Sequence, residues 1–173
     1  LSVTDSAGKK LTTKKSRSGP NLSIRIGDAD ITLPPGTEVS YVIRYSAFGM
    51  INRFDPHDGW PAAAELYWNA IGTEWEAPIY GADIQVTFPE VSTGDALRAR
   101  AFIGAYGSTE DASLTAPGEA QTAAGDLKMS LSRSALNIQS KRAMMPGDGI
   151  SIVLGIPSKL IAEPSLWQKA QLF

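Results

Sequence analysis

The single histidine of the chain, His57, sits in the run Asp55-Pro56-His57-Asp58-Gly59-Trp60. Two carboxylates and an imidazole this close together carry the donors for a divalent cation, or for a His–Asp acid–base pair. Asp-Pro and Asp-Gly are also turn formers, and a loop between two strands is where they belong. The turn is the stronger reading, since one histidine cannot build a multi-histidine zinc centre and the chain has no cysteine to complete one. Neither a metal nor a cofactor is expected.

A second group follows a few residues on, in Glu65-Leu66-Tyr67-Trp68-Asn69 and Trp75. On a strand, Tyr67 and Asn69 face one way while Leu66 and Trp68 face the other, so one side is core with Trp68 as its largest member. Large aromatics in a β-fold are more often core than ligand platform. The functional alternative is a platform in which Trp60, Tyr67 or Trp75 stacks on a sugar ring or a peptide while Glu65 and Asn69 supply hydrogen bonds. Trp60, Glu65, Tyr67, Asn69 and Trp75 are therefore the candidate ligand-binding residues.

Catalysis has little support. A glycoside hydrolase needs two acids across a cleft, and among Asp55, Asp58, Glu65, Glu74, Glu76, Glu110 and Asp111 no spacing singles out a pair. There is no Gly-x-Ser-x-Gly elbow and no phosphate-binding glycine loop. No catalytic residue is assigned, and the expectation is a protein that is not an enzyme.

The elements that must position these residues are strands. Apolar and polar residues alternate through Leu22–Ile26, Val39–Tyr45, Ala82–Phe88, Leu97–Ile103, Leu127–Leu131, Leu136–Ile138 and Ile150–Ile156, separated by Gly, Pro, Asp and Ser. Strands with one apolar and one polar face fit an all-β fold, a two-sheet antiparallel β-sandwich of about eight to ten strands with little helix. Ala62, Ala63 and Ala64 after Pro61 could form one helical turn, and Gly107 to Gly125, rich in Ala, Thr, Ser and Gly, reads as a long exposed loop.

A chain of 173 residues with 43% hydrophobic and 20% charged residues can build a core without disulfides or metal. Its charges are uneven. Lys9, Lys10, Lys14, Lys15 and Arg17 face Asp5 alone in the first twenty residues, and the remainder is acidic. That balance argues against a nucleic-acid groove, which spreads its cations over a folded face. The basic stretch reads as a flexible leader over 1–20, with contact to an anionic surface as the lesser alternative. The sandwich domain is expected over 21–161, and 162–173 as an amphipathic tail. No stretch approaches the roughly 18 apolar residues that span a bilayer.

Tyr41-Val42-Ile43-Arg44-Tyr45, Phe54-Asp55, Glu65 to Asn69 with Gly72 and Trp75, Pro78-Ile79 and Phe88-Pro89 occur in an order that resembles a known family. It is similar to the extracytoplasmic N-terminal domain of bacterial predicted membrane proteins catalogued as domain of unknown function 2207. The stretch Phe102 to Ser108 and the turn Pro146-Gly147-Asp148-Gly149 leading to Gly155-Ile156-Pro157 also look like that family, so the resemblance runs from roughly Leu22 to Ile161. It implies an excised ectodomain, joined to the membrane through transmembrane segments outside this chain, with a structural or ligand-sensing role at the cell surface. The partners implied are the membrane and a cell-wall, glycan or protein ligand. Many relatives carry a cysteine pair flanking the Tyr106-Gly107-Ser108 region, which this chain lacks.

Overall fold

The computed structural model describes residues 1–19, 21–56 and 63–163. Among them run thirteen strands: β1 (Ser2–Asp5), β2 (Thr13–Ser18), β3 (Asn21–Ile26), β4 (Tyr41–Arg44), β5 (Ile51–Phe54), β6 (Ala63–Ile71), β7 (Asp83–Thr87), β8 (Arg98–Ala105), β9 (Asp111–Leu114), β10 (Gly118–Gln121), β11 (Leu127–Leu131), β12 (Ala135–Ser140) and β13 (Asp148–Pro157). The only helix among the described residues is a 3₁₀ turn at Ser158–Leu160. The chain divides into two compact units, Leu1–Phe48 and Gly49–Phe173.

The second unit is the sandwich. One sheet has the order β5-β6-β13-β8-β9 and the other β10-β11-β12-β7, with every pairing antiparallel. Alternation decides which side of each strand is dry. Ala99, Ala101 and Ile103 of β8 and Ile150, Ile152 and Leu154 of β13 face Leu127, Met129 and Leu131 of β11 and Leu136 and Ile138 of β12, all essentially without solvent contact. Burying each Leu or Ile contributes about 1.5–3 kcal/mol over leaving it exposed, so this double layer is what holds the unit together. β13, ten residues long and flanked by β6 and β8, is the central strand of the five-stranded sheet.

The first unit is built differently. β1 pairs with β4, and β2 with β3, as two separate two-stranded antiparallel sheets. Val3 is its only buried hydrophobic side chain among the described residues. Val39, Tyr41, Ile43 and Tyr45 have the alternation of a core strand and yet are exposed.

Several expectations are corrected. Ala63 and Ala64 begin β6 instead of a helical turn, because they pair with Pro157 and Ile156 of the central strand. The stretch Gly107 to Gly125 contains β9 and β10, with Ala112 and Thr122 buried and Leu114 and Ala120 half-buried against the core; four-residue edge strands with so few inward apolar positions leave no rhythm to read. Residues expected as a flexible leader carry β1 and β2, and the strands of the sandwich begin at Ile51. Residues 164–173 of the expected tail lie outside the described residues, as do Pro61 and Ala62.

Candidate functional site

The outer face of the five-stranded sheet carries the predicted binding residues, and its register fixes their neighbours. Across β6, β13 and β8 the outward rows read Glu65, Gly155, Arg98; then Tyr67, Val153, Arg100; then Asn69, Ser151, Phe102. Leu66 and Trp68 point the other way and pack against the core, as the alternation of β6 requires.

In the first row, Arg98 reaches over β13 to Glu65, Nη2 to Oε2 at 3.0 Å. That crossing needs glycine at 155, where an added Cβ would stand 2.6 Å from Arg98 Nε. Further along, Arg100 grips Asp111 with two bonds, Nε to Oδ2 at 2.7 Å and Nη2 to Oδ1 at 3.2 Å. These hydrogen bonds hold the Asp111 carboxyl below the usual carboxylate range and push the Arg100 guanidinium up. The guanidinium carbon also lies 4.8 Å from the centre of the Phe102 ring, a cation–π contact that orients the ring.

At the third row the face becomes concave. Tyr67, Asn69, Phe102, Tyr106, Gly149 and Ser151 help to line an open depression of about 420 Å³. Ser151 Oγ donates to Asn69 Oδ1 at 2.7 Å, which leaves the Asn69 amide nitrogen directed elsewhere as a donor. A second depression, of about 520 Å³, adjoins it through the shared residues Asn69, Gly72 and Thr73, and Trp75 lines it. Three aromatic side chains around these hollows are solvent-exposed: Tyr67 at 52%, Trp75 at 57% and Tyr106 at 96%.

Two backbone devices hold the rim. A bulge in β6 opposite Ile150 and Ser151 turns Ile71 toward the core and swings Gly72 and Thr73 out to the hollow. Gly149 then packs so closely that a Cβ there would lie 2.5 Å from the Ile71 carbonyl oxygen. The turn that delivers Gly149 is tied by Arg142, whose Nε donates to Asp126 at 2.7 Å and whose Nη1 donates to Asp148 at 2.7 Å. The bond from Arg142 lowers the Asp148 pKa, and Met145 N–H, donating to the same carboxylate, lowers it further.

The structure thus brings Tyr67, Asn69 and Trp75 around one pair of joined hollows. Glu65 lies on the same face but is committed to Arg98 and lines neither hollow. Trp60, His57 and Asp58 lie outside the described residues. Among the described residues no group of three or more His, Asp or Glu could hold a metal ion. A smaller, more apolar pocket of about 270 Å³, lined by Ala63, Leu97, Ile156 and Pro157 beside the Lys159–Asp95 pair, contains none of the predicted aromatics. Sequence reasoning missed Phe102 and Tyr106. The signal for Phe102 was available, as a large aromatic in the polar phase of Leu97–Ile103.

Residues 2–135 match the family model described as "Predicted membrane protein (DUF2207) N-terminal domain". The match covers nearly all of the first unit and the sandwich as far as the start of β12, so the central strand β13 lies beyond it. No curated protein and no solved structure matches the chain. No helix among the described residues is long and apolar enough to cross a membrane.

Proposed function

The chain belongs to the family of predicted membrane proteins with the DUF2207 N-terminal domain, and from that premise we propose that it is a non-catalytic recognition module at the cell surface, extracytoplasmic and anchored through membrane segments elsewhere in the protein. Its ligand is a glycan, taken up on the outer face of the five-stranded sheet. The observation that carries this reading is the exposure of Tyr67, Trp75 and Tyr106 around the polar Asn69–Ser151 pair in a preformed hollow. An aromatic ring offers an apolar body to a sugar face, while neighbouring amide and hydroxyl groups fix its orientation.

The non-catalytic part rests on the acids of this face: among the described residues Glu74 is the one carboxylate that lines the two hollows, and glycoside hydrolysis needs a facing pair. Glu65 and Asp111 are each bonded to an arginine, and Asp111 is thereby a firm carboxylate at neutral pH, unsuited to the general acid of glycoside hydrolysis. A glycan array tests ligand class: retention of surface glycans is expected, with Tyr67→Ala and Trp75→Ala each lowering affinity about tenfold. Retention unaffected by both substitutions overturns the platform. Protease or label accessibility of this domain in intact cells expressing the full-length protein tests sidedness, with modification from outside expected and protection contradicting it.

A further inference from the structure

The β2–β3 ribbon of the first unit is free of acidic residues and dense in cations. Its register sets Lys14 opposite Arg25 on one face, and on the other sets Lys15 opposite Ile24, Arg17 opposite Leu22 and Thr13 opposite Ile26. One face is therefore a row of Leu22, Ile24 and Ile26 running beside Lys15 and Arg17. Leu22 is 44% exposed, Ile24 and Ile26 are half-buried, and all four cations are exposed.

Like charges directly opposite each other weaken a strand pair, so the Lys14–Arg25 pairing favours any state in which an anion neutralises it. Among the described residues no acidic side chain pairs with Lys14, Lys15, Arg17 or Arg25. A soluble polyanion would satisfy the charges but leave the apolar row in water. A lipid surface satisfies both: aliphatic side chains enter the headgroup boundary while lysine and arginine hold the phosphates.

We infer that the β2–β3 ribbon docks on the anionic lipid surface of the membrane in which the protein resides. Leu22 and Ile24 form the inserted row, Lys15 and Arg17 bind the phosphates beside them, and Lys14 and Arg25 add long-range attraction within a Debye length of the surface. The chain belongs to a family of predicted membrane proteins, which makes a lipid surface an available partner, and the inference does not depend on the glycan face.

The test is co-sedimentation of the 173-residue chain with vesicles of phosphatidylcholine alone and of phosphatidylcholine mixed with phosphatidylglycerol. Binding is expected to the anionic vesicles, weakening steeply as salt rises. Lys15→Gln and Arg17→Gln each reduce it by about fivefold, Lys14→Gln and Arg25→Gln on the opposite face each reduce it less, and a four-glutamine variant carrying all these substitutions loses the most. Leu22→Ser reduces vesicle binding severalfold while leaving binding to inorganic polyphosphate unchanged, and an unaltered unfolding transition of each variant confirms that it is folded. Equal binding to both vesicle types, or wild-type binding by the four-glutamine variant, overturns the proposal. So does vesicle binding insensitive to Leu22→Ser, which would make the ribbon a site for soluble polyanions. Loss of glycan binding by Tyr67→Ala with vesicle binding intact would show the two readings to be separate.

Discussion

The two units of the chain use the same local pattern to different ends. In Gly49–Phe173, alternating strands stack in two layers and their apolar faces exclude water almost completely, from Ala99 to Ile156. In Leu1–Phe48, strands with equally clean alternation pair only two by two, and Val39, Tyr41, Ile43 and Tyr45 stay exposed. Alternation therefore specifies a potential buried face, and a second layer is needed to realise it. A two-stranded sheet has no such layer and is at best marginal on its own. The lesson for function is that the sandwich can hold a hollow rigidly, while the first unit offers surface.

The largest effects that would sharpen this contrast lie in the double layer. Leu127→Ala or Ile152→Ala is expected to cost about 3–4 kcal/mol, since each removes fully buried methyl groups and leaves a cavity. Ile43→Ala or Tyr45→Ala in the first unit should change stability by less than about 0.5 kcal/mol. Denaturant unfolding followed by intrinsic fluorescence and circular dichroism measures both. Comparable losses in the two units would break the comparison.

Next in size is the rim of the hollow. Gly149→Ala forces a Cβ against the Ile71 carbonyl and is expected to cost about 2–3 kcal/mol, read as a drop in the thermal midpoint. Alanine at Gly81, which has open space around it, is the matched control and should be nearly silent.

A smaller effect concerns acid. Asp148 and Asp111 have their pKa values lowered in the folded state by Arg142 and Arg100. Their contribution is fully present above the unfolded carboxylate value of roughly 4 and is lost as pH falls through the lower folded values. Stability is thus expected to be flat in this component at neutral pH and to fall below about pH 4. Asp148→Asn should cost about 1 kcal/mol at pH 7 and make the acid limb shallower, as followed by unfolding at a series of pH values. An acid limb unchanged in the variant would remove Arg142–Asp148 as its source.

Much of the sandwich was legible because its inner residues are large and regularly spaced. Leu97–Ile103, Leu127–Leu131 and Ile150–Ile156 put their apolar positions in the core as alternation demands. β9 and β10 were illegible because they are four residues each and bring only Ala112, Leu114 and Ala120 to the core, too few positions to set up a hydrophobic rhythm. For the site, Tyr67 and Asn69 could be assigned to one face from strand parity alone. Their partners could not, since Phe102, Tyr106 and Ser151 come from β8, its following turn and β13, and only the sheet register brings them together. Glu65 was legible as an outward residue, but its commitment to Arg98 depends on a glycine at 155 of a strand ninety residues away. Ala63 and Ala64 were misread for a related reason: alanine has high helix propensity, and pairing with a central strand overrides it.

Recognition by this domain stands or falls on the outer face of the five-stranded sheet. Calorimetric titration of the chain and of a Tyr67→Ala/Trp75→Ala double variant with the glycans retained on an array measures it directly. Because both side chains are more than half exposed, the variant should unfold within about 0.5 kcal/mol of the parent. It should also lose at least tenfold in affinity. A variant that binds these glycans as tightly as the parent, or a parent that binds none, contradicts the recognition site.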